Sequence, residues 1–141
     1  MVAVVIVTHG NLAQALLDAA HTIVGELPAT QAVGLEPSDG PEQAQSKVEA
    51  AMEAVDEGNG TLFLVDLPGG TPCSICVGCI SGHDAEVVTG VNLSMLVKLP
   101  FIRAADERSL HERAEQIAAL GKRSIRVVTD PCCNEPPKRK E

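Results

Sequence analysis

The residues equipped for chemistry stand where apolar runs stop. Val2-Ala3-Val4-Val5-Ile6-Val7 ends abruptly at Thr8-His9-Gly10, and Thr61-Leu62-Phe63-Leu64-Val65 ends at Asp66. An imidazole beside a carboxylate is the simplest activated nucleophile. The carboxylate takes the N–H, fixes the tautomer, and aims the other nitrogen's lone pair outward. It also steadies the positive charge that appears when that nitrogen is alkylated, acylated or phosphorylated. The stretch after Asp66, Leu67-Pro68-Gly69-Gly70-Thr71-Pro72, adds an anion cradle. Glycines let backbone approach an anion closely, and amides opening a helix point at it. A phosphoryl group on His9 would find donors at Gly69, Gly70 and the Thr71 hydroxyl. These stretches contain no Lys or Arg, and the chain has no Gly-x-x-x-x-Gly-Lys nucleotide loop. A dipole-lined phosphate site without a nucleotide cradle suits transfer between proteins. The blander alternative is a strand-end histidine that only caps or packs.

The elements that must position these residues alternate in type. The first run is β-branched, and short enough to read as a strand buried on both faces. Leu12, Ala15, Leu16, Ala19 and Ile23 follow at helical spacing, with Asn11 as cap and Gly25 as stop. A strand is expected at 31–35. A turn and a helix then open at Pro41, with Asp39 and Glu42 spaced for capping and Ala44, Val48, Ala51 and Val55 on one stripe. After the strand at 61–65, a third helix opens at Thr71-Pro72, a fourth strand covers 85–89, and Asn92 caps a helix that Pro100 should kink. Ser109 with Glu112 caps a further helix expected to stop at Gly121. A last short strand is expected at 125–128.

This alternation implies an α/β, doubly wound, mostly parallel sheet in the order 2-1-3-4. It brings His9 and Asp66 to one crevice at the carboxyl ends of adjacent strands. Residues 1–129 form the expected domain. Residues 130–141, rich in Pro and charge, read as a disordered tail.

Bulk properties narrow the class. Hydrophobic residues make up 45% of the chain, the net charge is −8, and the aromatics are two Phe alone. No basic patch or aromatic platform points to nucleic acid. No apolar run is long enough for a transmembrane helix and no signal peptide is visible, so a cytoplasmic address is expected, with reduced thiols. The run Cys73-x-x-Cys76-x-x-Cys79 resembles iron–sulfur spacing. On a helix, however, such thiols also pack on nearly one face, and a fourth ligand would have to come from Cys132 or Cys133. A cysteine-based metal or redox module on the same fold is therefore the alternative function. His21, His83 and His111 lack partner motifs and read as solvated or interface side chains.

Three motifs in order, Thr8-His9-Gly10, Phe63-Leu64-Val65-Asp66 with Gly69-Gly70-Thr71-Pro72, and Gly90-Val91-Asn92-Leu93-x-Met95-Leu96, give the chain a wider likeness. From Val2 to about Val128 it resembles the mannose-family enzyme IIA domain of the bacterial phosphoenolpyruvate-dependent sugar phosphotransferase system. The resemblance implies a phosphotransferase component that needs no cofactor and no metal. His9 would be phosphorylated by the histidine-containing phosphocarrier protein, Asp66 would orient it, and a separate enzyme IIB would receive the phosphoryl group for carbohydrate uptake or its regulation. It further implies a cytoplasmic homodimer that exchanges its last strand, Ser124 to Val128, and works beside membrane permease subunits. Pro68, Ser94 and Pro100 depart from the family pattern without touching His9 or Asp66.

Overall fold

The computed structural model describes residues 1–129; the expected tail, with Cys132 and Cys133, lies outside the described residues. Four strands, β1 (Ala3–His9), β2 (Thr30–Leu35), β3 (Thr61–Val65) and β4 (Ala85–Val88), form one sheet in the order β2-β1-β3-β4. Every pairing is parallel. Among the described residues there are six helices: α1 (Leu12–Val24), α2 (Pro41–Val55) and α3 (Thr71–Cys79) connect the strands, and α4 (Leu93–Val97), α5 (Leu99–Ile102) and α6 (Leu110–Arg123) follow β4.

The strands' alternation sends side chains to two cores. Val4, Ile6, Leu62 and Leu64 meet α1, α4, α5 and α6 on one face, around Leu17, Leu96, Leu99 and Ile117. Val5, Val7, Phe63 and Val65 meet α2 and α3 on the other, around Val48, Met52, Cys76 and Cys79. Both faces of β1 and β3 are thus covered, which is why these two strands are continuous apolar runs. Pro100 breaks the fourth helical segment as expected, leaving α4 and α5 with Lys98 between them.

Several caps differ from the sequence expectation. Asn11 makes no side-chain cap for α1. The buried Thr8 hydroxyl does so instead, accepting the Ala13 N–H at 2.8 Å from the end of β1. Asp39 does not cap α2 either. Its carboxylate takes the Glu36 N–H and the Lys47 ammonium, which tightens the turn before the helix. Gly121 does not stop α6. It lies inside the helix, where an added Cβ would come within 2.6 Å of Met95 Cε, so its smallness serves packing against α4. The capping arrangements at Asn92 and at Ser109 with Glu112 are present as expected.

At the amino end of the sheet the charged core residues are arginines. Arg103 is buried and donates to the Ala29 carbonyl and the Thr30 hydroxyl, and burial lowers its pKa to about 10. Arg113 donates to the carbonyls of Ile102 and Ala104, anchoring the loop before α6. These arginines hold backbone at the end of the sheet away from His9 and Asp66.

Residues 125–128 form no strand within the single chain. They run as coil and turn after α6, with Ile125 79% exposed and Val127 67% exposed. A strand there needs an edge to pair with, and the chain folds it onto none of its own. Among the described residues no helix is long and apolar enough to cross a membrane.

Candidate functional site

Register places the site. β1 and β3 pair so that Val7 lies opposite Val65, the last residue of β3, while β1 runs on beside β2 as far as His9, opposite Leu35. His9 is thus the last residue of β1, and Asp66 follows β3 directly. Their side chains meet, with His9 Nδ1 2.7 Å from Asp66 Oδ2. The same carboxylate oxygen accepts the His9 backbone N–H at 2.9 Å, and Oδ1 accepts the Leu67 N–H at 2.9 Å. Asp66 is therefore fixed by three donors from two chain segments.

That arrangement settles the imidazole's tautomer. Burial pushes the Asp66 carboxyl up, but the backbone and ring hydrogen bonds from His9, with that from Leu67, together outweigh it and hold the group below its ordinary range. An ionised carboxylate only accepts, so Nδ1 must carry a proton, and in the neutral ring Nε2 then holds the free lone pair. The Asp66 side chain is 11% exposed and the His9 side chain 54%. The carboxylate is thus largely shielded from water and the ring is half exposed.

Three glycines make room for this geometry. Gly10 takes a left-handed conformation, φ 57°, and its N–H bonds the Leu35 carbonyl at 2.9 Å, folding the chain over β2. Beneath it lies Gly34, where any Cβ would stand 2.1 Å from the Gly10 oxygen. Gly34 is the positioning residue that sequence reasoning missed. Its signal was a glycine in the interior of a strand, which marks close backbone approach. Gly70 faces the ring itself. A Cβ there would lie 3.2 Å from His9 Cε1 and 3.7 Å from Nε2.

Gly70 is the N-cap residue of α3, with Pro72 in the first turn. The Thr71 and Cys73 amides belong to that turn and have no acceptor within the helix, while Pro72 has no N–H to offer. The positive end of α3 is thus brought to the Cε1–Nε2 edge of His9 through Gly70. Gly69 and Thr71 flank it in the chain, and both are exposed. Of the five candidate residues, the structure hydrogen-bonds His9 to Asp66 and sets Gly70 beside the His9 ring, with little room for a side chain between them.

The remaining candidates separate. Cys76 and Cys79 are buried against the α2-side core and Cys73 is half-buried beside them. Among the described residues no three His, Cys, Asp or Glu side chains gather as metal ligands. His111, expected to be unpartnered, lies between Glu86 at 3.1 Å and Glu115 at 3.2 Å. His21 Nε2 is buried without a hydrogen-bond partner among the described residues.

The same chain matches known proteins along most of its length. Residues 3–118 match the family model EIIA-man, described as the PTS system fructose IIA component. The mannose-specific EIIAB component of Escherichia coli is 30% identical over 128 residues, which is 90% of this chain and 39% of that protein. The chain thus spans about two-fifths of the length of the first curated relatives it matches. The fructose-specific EIIA component of Bacillus subtilis is 28% identical over 92% of this chain and 88% of its own length. Among solved structures, a mannose/sorbose-specific IIA subunit from Enterococcus faecalis superposes with TM-score 0.79 at 25% identity, covering 99% of this chain and 98% of that one. Component EIIA from Streptococcus agalactiae gives TM-score 0.82 at 20% identity over 92% of this chain and 98% of its own, a likeness of fold.

Proposed function

The chain belongs to the EIIA-man family of sugar phosphotransferase system IIA components, and from that membership we propose that it is a phosphohistidine carrier whose nucleophile is His9 Nε2. The donor is the histidine-containing phosphocarrier protein and the acceptor is an enzyme IIB. The observation that carries this reading is the single Asp66 oxygen that takes both the backbone N–H and the ring N–H of His9, at 2.9 and 2.7 Å.

The chemistry follows from that contact. The Nε2 lone pair attacks the donor's phosphorus while the phosphorus–nitrogen bond to the donor imidazole breaks. The His9 ring gains positive charge as the new bond forms, and the Asp66 carboxylate, 2.7 Å from Nδ1, offsets it without taking the proton. The transferred group's oxygens meet the opening of α3, where the amides of Thr71 and Cys73, the backbone of Gly69 and Gly70 and the Thr71 hydroxyl supply donors and the helix dipole favours the anion. Among the described residues the ion pair at Asp66 is with His9 alone, with no lysine or arginine joined to it. The half-exposed ring, flanked by the exposed Leu12 and Leu67, is open to a macromolecular partner on the same surface for both steps.

A homodimer fits the other end of the sheet. β4 is an edge strand, and a groove of about 480 Å³ runs between it and α6, bounded by Glu86, Val88, His111, Ala118 and Ile125. Unpaired edges invite another strand. The exposed Ile125, Val127 and Val128 form an apolar segment suited to pairing with the β4 edge of a second copy. The test of the carrier reading is incubation with phosphoenolpyruvate, enzyme I and the histidine phosphocarrier. Acid-labile, base-stable phosphate appears on the wild type and is lost in His9→Ala; labelling that survives His9→Ala overturns it.

A further inference from the structure

The helix that opens the cradle also carries thiols, which carrier chemistry does not use. Cys73 lies in the first turn of α3 and Cys76 one turn on. Cys73 is half-buried; Cys76 is fully buried against the core shared with β1 and β3. We propose that Cys73 and Cys76 form a reversible intrahelical disulfide, and that closing it distorts the α3 opening that faces His9. The gating half of this proposal rests on the carrier reading; the disulfide half does not.

Accessibility assigns the order of events. Cys73 is the half-exposed thiol of the three, so it meets the oxidant, a small disulfide such as oxidised glutathione. Its thiolate attacks one sulfur of the small disulfide, whose S–S bond breaks and releases one small thiol. Cys76 then loses its proton and attacks the Cys73 sulfur, the mixed disulfide breaks, and a second small thiol leaves. Two protein thiols are oxidised to one disulfide and one small disulfide is reduced to two thiols. Burial pushes the Cys76 thiol far above its ordinary range, with Cys79 and Cys73 on either side adding to the effect, so the second step needs the turn to loosen. Cys79 has the same spacing from Cys76 but is itself buried, which leaves that pair closed to an oxidant.

Helix geometry makes the bridge a switch rather than a staple. Side chains three apart on a helix have Cβ atoms about 5–6 Å apart, whereas a disulfide wants about 3.5–4.5 Å. Closing it therefore pulls the first turn inward by roughly 1 Å or more. That turn begins with the Ser74 N–H bonded to the Gly70 carbonyl at 3.0 Å. Gly70 is the residue that faces the His9 ring, where an added Cβ would lie 3.2 Å from Cε1. Displacement of Gly70, and of the Thr71 and Cys73 amides with it, moves the donors away from the path of the phosphoryl group. The strain also makes the bridge readily reducible.

The test uses the full chain with Cys132→Ser and Cys133→Ser, so that tail thiols do not contribute. Treatment with oxidised glutathione should remove two titratable thiols and two hydrogens of mass. That change should vanish in Cys73→Ser and in Cys76→Ser and persist in Cys79→Ser. A stable glutathione adduct on Cys73 in the chain that keeps Cys76, or a bridge that survives Cys76→Ser, overturns the assignment. The His9 Cε1–H resonance should shift on oxidation and return with dithiothreitol, and phosphorylation should slow about tenfold or more, as expected for a reacting group displaced by a fraction of an ångström to one ångström. A resonance that stays in place while the thiols are lost overturns the gate. A reduced chain that accepts no phosphate refutes the carrier reading instead, and the thiol count and the resonance still decide the switch.

Discussion

Asp66→Asn is the substitution that separates a positioned nucleophile from a histidine that only packs. The side chains are nearly isosteric, so the test is of hydrogen-bond polarity. The carboxylate serves three donors, His9 N–H and Nδ1–H on Oδ2 and Leu67 N–H on Oδ1. An amide has one acceptor atom. With its oxygen toward His9, its NH2 confronts the Leu67 N–H. With its oxygen toward Leu67, its NH2 confronts the His9 N–H and drives the ring to accept at Nδ1, which places the proton on Nε2 and removes the nucleophilic lone pair. A charge-assisted hydrogen bond is worth about 1.5–3 kcal/mol, or roughly ten- to 150-fold in rate. Adding the wrong tautomer, as in other carboxylate–imidazole pairs where the same change costs about 10⁴, sets the expected slowing of His9 phosphorylation at about 10²–10⁴. Stability should fall by about 1–3 kcal/mol for the donor left unpaired. Initial rates of phosphoryl transfer at limiting phosphocarrier measure the first effect, urea unfolding the second, and imidazole nitrogen chemical shifts report the tautomer. An Asp66→Asn variant within twofold of wild-type rate, with Nδ1 still protonated, refutes the reasoning.

Other expectations follow from neighbouring contacts. Gly34→Ala places a Cβ 2.1 Å from the Gly10 oxygen, so overpacking should cost about 1–3 kcal/mol in urea unfolding. It should also slow phosphorylation by up to about 10² through displacement of His9; unchanged values for both would remove Gly34 from the site. Hydrogen bonds from Arg108 hold the Asp106 carboxyl down from its ordinary 3.8 to about 2. A depressed folded pKa stabilises above the unfolded value, and the contribution is lost as pH falls from about 4 toward 2. Asp106→Asn should therefore flatten the fall in thermal midpoint across that window, and an equally steep fall in the variant would contradict it. Val127→Asp places a charge in the exposed segment proposed to pair with β4, and should convert a sedimenting dimer to monomer; an unshifted sedimentation coefficient excludes that segment from the interface.

The parts of the fold legible in the sequence are those where one physical signal dominates. The runs at 2–7 and 61–65 are apolar on both faces, and the structure buries them between two helical layers. That forces a parallel sheet and brings His9 beside Asp66. Pro100 broke its helix because a missing N–H has no remedy. What the sequence hid depends on contacts made only in the fold. Thr8 outcompetes Asn11 as the cap of α1 within five residues, because the buried end of β1 holds its hydroxyl under the Ala13 N–H, a turn geometry that residue types alone do not record. Gly121 reads as a helix stop until Met95 is seen packed against it. His111 gained Glu86 from a different element. Residues 125–128 have strand composition, yet β propensity expresses itself only against a neighbouring edge.

The central claim is that Asp66 leaves the lone pair of His9 on Nε2, facing the opening of α3. Locating the phosphate on the modified chain by phosphorus–proton correlation NMR tests it most directly. One phosphoryl group is expected, on His9, coupled through Nε2. Phosphate on Nδ1 of His9, or on any other side chain, contradicts it.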